Sequence, residues 1–135
     1  MDFNKLKEQF QEDVKISEEM IEKQIISLPK IMAKYINAYN DILNSINEIS
    51  TNKDKLYHLF MLEYRGGKSD LSSFTWSATE LKKMIETSPR FVELTKEEMK
   101  FTTELKTVEE MIATIKGMGF SINNYLTYKK IINGS

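Results

Sequence analysis

From Ile21 onward, apolar residues recur at alternating steps of four and three. The row is Ile21, Ile25, Leu28, Met32, Tyr35, Tyr39, Ile42, Ile46, Ile49, Lys53, Leu56 and Phe60, and Lys53 is its single charged member. A heptad pattern sustained this long marks helices that pack along their length, against each other or against sister chains. A second row, Ile31, Ala38, Leu59 and Leu62, widens the apolar face, so that the turn of helix from Leu59 to Leu62 reads as buried. That width favours a bundle or a multi-subunit barrel over an isolated two-stranded coiled coil. Between Lys30 and Tyr64 there is neither Gly nor Pro. One helix of about thirty-five residues is expected there, near 50 Å long at about 1.5 Å per residue. Pro29 lies inside the seam; it lacks an N–H and disfavours helix at Leu28, which predicts a kink or a restart at Ser27–Pro29.

The flanking segments are helical too. Phe3, Leu6, Phe10 and Val14 share one face of a short amphipathic helix over residues 3–14. Ser17 offers an N-cap, followed by Glu18 and Glu19 where the helix dipole favours negative charge. Gly66-Gly67 ends the long helix, and residues 70–76 form a loop or at most a short strand at Phe74–Trp76. Ser77 with Glu80 reads as a capping box opening a helix to about Thr87, and Ser88-Pro89 stops it and starts the next. A second seam follows in Leu94, Phe101, Leu105, Val108, Ile112 and Ile115, with Glu98 at its one polar heptad position. Gly117 and Gly119 are expected to end that helix near Lys116. Ser121 would then begin a last one carrying Ile122, Tyr125, Leu126, Lys129, Lys130 and Ile132. The chain therefore predicts an all-α fold, a long kinked helix plus C-terminal helices, assembled as a helical bundle or a ring-shaped homo-oligomer. It reads as a single helical domain over residues 1–135: a long helical part about 1–65, a glycine and aromatic loop about 66–76, and closing helices about 77–133.

Composition adds limits. At 135 residues without a cysteine, disulfides and zinc–thiolate sites are excluded and a reducing compartment fits. No apolar run is long enough to span a bilayer, and the first residues do not form a signal peptide, so an intracellular product is expected. The net charge of −1 hides an uneven distribution. Residues 1–50 carry six basic and nine acidic groups, residues 51–90 seven and five, residues 91–115 three and six, and residues 116–135 three and none. The basic surplus sits around the glycine turn and at the C-terminus, where it matters more for polyanion binding than the global sum.

No catalytic or metal-binding constellation stands out, and no cofactor is expected. The single histidine, His58, has Asp54 four residues before it, yet no nucleophile accompanies the pair, and a lone helical histidine reads as a surface or packing residue. Glu18-Glu19, Glu97-Glu98 and Glu109-Glu110 lack a histidine at ligand spacing and read as solvated faces. Arg65-Gly66-Gly67-Lys68-Ser69 is not a phosphate loop, because Leu62 stands where the first glycine is required and a helix precedes it. Binding single-stranded nucleic acid needs cations along the backbone and aromatic faces for bases. Lys53, Lys55, Arg65 and Lys68, with Tyr64 and Trp76, supply both types. Trp76 serves equally as an anchor for the loop.

Several segments, in order and at matching spacing, resemble the UvsY-type recombination mediators of tailed phages. They are Glu12-Asp13-Val14-Lys15-Ile16, Leu28 to Tyr35 with Tyr39-Asn40, Leu62 to Asp70, and Ile115 to Asn124. The resemblance implies a non-enzymatic accessory protein of homologous recombination in the cytoplasm of an infected bacterium. It implies a ring-like homo-oligomer of six or seven subunits that binds single-stranded DNA. It also implies two protein partners, a RecA-like recombinase and the single-strand-binding protein that the recombinase must replace. The C-terminal helices would carry the assembly. One departure stands out: where family members place a DNA-binding basic pair before the tyrosine–glycine motif, this chain has Leu59 and Met61. Lys68 matches the basic residue after the motif glycine, and Arg65 is an added cation. The alternative from the residues alone is a helical adaptor or scaffold that touches no nucleic acid.

Overall fold

The computed structural model describes residues 2–65 and 77–134, with the backbone alone for Tyr64 and Arg65. The expectations for Gly66-Gly67, Lys68 and the segment to Trp76 lie outside the described residues. The described chain is all α: α1 (Phe3–Asp13), a single 3-10 turn (Glu18–Met20), α2 (Ile21–Arg65), α3 (Ala78–Glu86) and α4 (Pro89–Ile132). It divides into two compact units, one of Met1–Ile42 with Glu104–Ser135 and the other of Leu43–Thr103.

Local chemistry accounts for most boundaries. Asp2 caps α1, its Oδ1 accepting from the backbone N–H groups of Asn4 (3.1 Å) and Lys5 (3.3 Å). Ser17 occupies the expected N-cap position, but its hydroxyl makes no capping bond. Gln24 does that work from the first turn of α2: its amide oxygen accepts from the Ser17 N–H at 3.1 Å, and its amide nitrogen donates to the Lys15 carbonyl. At α3 the Ser77 hydroxyl accepts from the Glu80 N–H at 3.1 Å, as the capping pattern predicts. Thr87 and Ser88 close the other end, their hydroxyls donating to the Lys83 and Ile85 carbonyls at 2.9 and 2.7 Å. Pro89 then opens α4 where its missing N–H costs nothing.

A restart at Pro29, one of the two alternatives expected there, and a break at Gly117 and Gly119 are absent. Pro29 lies inside an unbroken α2, so the helix does not restart there. Gly117 and Gly119 lie inside an unbroken α4, so no separate last helix begins at Ser121. Each glycine costs about 1 kcal/mol in a helix and the proline about 3. In α4, burial on either side outweighs the glycines' cost: Ile115, Met118 and Ile122 are all buried at steps of three and four across them. Burying one large aliphatic side chain contributes about 1.5–3 kcal/mol. Gly119 also faces α2, where a methyl added to it would lie 3.7 Å from Leu28 Cδ1.

In the unit formed by the two chain ends, Ile21, Met118 and Ile122 make a buried cluster. Val14, Ile25, Leu28, Tyr125 and Leu126 pack against it. Tyr35 is 0% exposed and meets the Phe10 ring edge-on, centroids 5.7 Å apart. Its hydroxyl donates to Asp13 Oδ2 at 2.8 Å, and Lys34 Nζ donates to the same oxygen. Burial, reinforced by the Asp13 carboxylate, pushes the Tyr35 phenol well above the usual tyrosine value. Tyr125 donates to a Glu18 carboxylate oxygen, which raises its phenol above the ordinary value.

The other unit has a smaller core of Ile49, Leu81, Ile85 and Leu94. There the polar members of the two seams find each other. Lys53 Nζ lies 3.5 Å from Glu98 Oε1, with side-chain exposures of 18% and 31%, and 4.8 Å from the Phe91 ring centroid.

Candidate nucleic-acid interface

Lys53 and Lys55 stand two residues apart on α2, about 200° of rotation at 3.6 residues per turn. That rotation gives them opposite surroundings. Lys53 points into the seam, where Glu98 and Phe91 engage its ammonium. Lys55 is exposed, and no described residue pairs with it. The sequence pattern groups the two as one cationic stretch; the structure separates them.

The exposed face around Lys55 continues along the helix. Thr51, Asp54, Lys55, His58 and Leu59 line an open depression of about 470 Å³. Leu59 is 62% and Leu62 54% exposed, which corrects the expectation that this turn is buried. The seam positions Leu56 and Phe60 beside them are only half-buried, so the covered stripe here is narrow. Leu59 lies about 60° around the helix from Leu56 and about 100° from Phe60 at 3.6 residues per turn, and no described residue covers that side. Arg65 is the last residue of α2, ten positions after Lys55 and seven after His58. Lys68 and Trp76, the remaining expected contacts, lie outside the described residues, as do the side chains of Tyr64 and Arg65.

Among the described residues no cluster of His, Asp or Glu is arranged to hold a metal ion, and no helix is long and apolar enough to cross a membrane. The acidic pairs fall largely on exposed helix surface, Glu98 excepted, because it faces Lys53.

Three of the four segments quoted above for their order along the chain meet in space. Asp13 from the first contacts Lys34 and Tyr35 from the second. Gly119 and Ile115 from the last line a small apolar hollow with Leu28, Pro29 and Met32 of the second. The spacing of the motifs thus reflects a shared packing arrangement of α1, the first half of α2 and the second half of α4.

Two long helices, α2 and α4, with the shorter α1 and α3 make the described chain all α, and its likeness to known proteins gives the class. The family model described as "Recombination, repair and ssDNA binding protein UvsY" matches residues 9–135, and the chain belongs to that family. Among solved structures, a crystal structure of the bacteriophage T4 recombination mediator protein UvsY is similar, with a TM-score of 0.79 at 18% identity, covering 98% of each chain. A second crystal form of the same T4 protein gives a TM-score of 0.78 at 18% identity, over 97% of this chain and 98% of that one. No curated protein sequence matches the chain significantly.

Proposed function

We propose that this chain is a recombination mediator. It binds single-stranded DNA as a homo-oligomer and helps a RecA-like recombinase take over DNA coated by single-strand-binding protein, in the cytoplasm of a phage-infected bacterium. Membership of the UvsY family over residues 9–135 is the observation that carries the reading. The exposed Lys55 on α2, leading to Arg65 at its end, supports it. Arg65, Lys68 and Lys55 contact phosphates, and Tyr64 and Trp76 offer stacking surfaces. Lys53 stays in the seam with Glu98 and takes no direct part. Assembly uses exposed apolar side chains of α4, among them Phe120 and Ile131, each 71% exposed. The chain performs no catalysis; it acts by occupying and presenting DNA.

A titration of fluorescent single-stranded oligonucleotide across several salt concentrations tests this. Log affinity falls with log salt by about 0.7 per phosphate neutralised. A helical adaptor would give the same oligomer by light scattering with no salt-dependent binding, and undetectable binding at low salt would overturn the mediator reading.

A further inference from the structure

The chain has nine asparagines, all among the described residues, and eight of them lie within helices: Asn4 in α1, five in α2, and Asn123 and Asn124 in α4. Asn133 alone lies outside a helix, just past the end of α4 at Ile132. It is also the one asparagine followed by glycine. The pairing has a chemical consequence, because the backbone nitrogen of the next residue can attack an asparagine carboxamide. The attack needs a nitrogen able to shed its proton, a backbone free to turn it toward Cγ, and no Cβ in the way. Inside a helix the ladder bond holds that nitrogen, and the fixed φ and ψ keep it from the carboxamide. Asn133 is exposed, and Gly134 has a φ of +72°, in the left-handed region. The Gly134 N–H donates to the Ile131 carbonyl at 3.2 Å, in a terminal turn of the kind that frays at little cost.

We propose that Asn133–Gly134 is a site of spontaneous deamidation whose product loosens the last turn of α4. The Gly134 nitrogen gives its proton to solvent base and bonds to the Asn133 side-chain carbonyl carbon. The bond from that carbon to the side-chain nitrogen breaks, and this nitrogen takes up a proton and leaves as ammonia. Water then opens the cyclic imide at either carbonyl. One opening gives aspartate, and the other gives isoaspartate, with an extra methylene in the backbone. Water is consumed, ammonia is released, and nothing is oxidised or reduced. Either product carries a new carboxylate, which the C-terminal end of a helix disfavours. That carboxylate appears in a hollow of about 560 Å³ that Asn133 lines with Glu18, Glu19, Glu22, Lys23 and Lys129. Three carboxylates already outnumber two amines there, so a fourth is repelled more than it is held. The proposal stands apart from the single-stranded-DNA reading and does not depend on it.

The experiment incubates the folded full chain at neutral and alkaline pH, digests it with trypsin, and reads peptide masses and isoaspartate by enzymatic methylation. The peptide that follows Lys130 gains the mass difference between an amide and an acid, faster at alkaline pH, and carries isoaspartate. Its rate lies within about tenfold of that of a free peptide of residues 130–135, since a fraying turn restrains it. The peptide holding Asn123 and Asn124 converts at least about a hundredfold more slowly, because opening the helix interior costs more. Conversion at Asn133 no faster than at Asn123 and Asn124 overturns the site. Asn133→Asp installs the product charge directly. Amides in its last turn of α4 exchange with deuterium about two- to fivefold faster than in the wild type, as one charge against the helix dipole implies. Exchange equal to that of the wild type overturns the loosening while leaving the site standing.

Discussion

Of the fourteen buried apolar side chains among the described residues, the unit made from the two chain ends holds ten and the unit of Leu43–Thr103 four. The same two helices, α2 and α4, run through both. In the first unit their seams exchange aliphatic and methionine side chains, α1 adds a further layer, and a carboxylate, an amine and a phenol tie that layer down. In the second, the seams carry an ion pair between half-buried groups, and α2 leaves one face uncovered. One region holds most of the buried apolar surface. The other leaves Lys55, Leu59 and Leu62 in solvent.

Substitutions can break this contrast. Ile115→Ala, in the closed unit, lowers stability by about 2–4 kcal/mol in urea denaturation, since Ile115 is 2% exposed and its loss leaves a cavity. Leu59→Ala on the open face stays within about 0.5 kcal/mol. Equal losses at the two positions would mean that something covers Leu59 in solution.

Asp13→Ala strips Tyr35 and Lys34 of their shared acceptor and costs about 1–3 kcal/mol. Tyr35 also imposes a sign on the alkaline limb. The folded phenol keeps its proton at pH values where the unfolded one, with a value near 10, has lost it. Stability is therefore fully present below about pH 10 and falls as pH rises above it. Tyr35→Phe flattens that limb, and a pH-independent wild-type stability in this range would contradict the buried-phenol account.

Smaller effects attend the seams. Lys53→Met leaves Glu98 without its partner and costs about 0.5–1 kcal/mol, a modest figure because both groups keep some solvent. The double variant Lys53→Met/Glu98→Leu recovers most of that loss. Gly117→Ala adds a methyl that meets nothing within 4 Å in the middle of α4, and it raises stability by about 0.5–1 kcal/mol.

The heptad rows made the helices legible, because burial of a stripe is a long-range sum that single residues rarely reverse. For the same reason the local stop signals misled. Gly117 and Gly119 carry real penalties, but Ile115, Met118 and Ile122 pack on both sides of them and outweigh those penalties. Met111 and Met118, both buried, escaped the second seam: the row took Ile112 in place of Met111 and was cut at the glycines before Met118. The candidate interface was harder to read. Lys53 and Lys55 look alike in a charge count, and only the phase of α2 relative to the position of Glu98 separates them. That phase was present in the sequence: Lys53 and Glu98 are the polar breaks of their respective seams. Leu59 and Leu62 misled in the opposite direction, since an apolar residue beside a seam is buried only where a second layer reaches it.

The two lysines also give the most direct test. Log affinity for a single-stranded oligonucleotide against log salt, measured for Lys55→Ala beside Lys53→Ala, separates a DNA-facing cation from a seam cation. The account predicts that Lys55→Ala weakens binding and makes the slope shallower by about 0.7, one phosphate contact, while Lys53→Ala leaves the slope at its wild-type value. A slope unchanged by Lys55→Ala, or one reduced by Lys53→Ala instead, would contradict it.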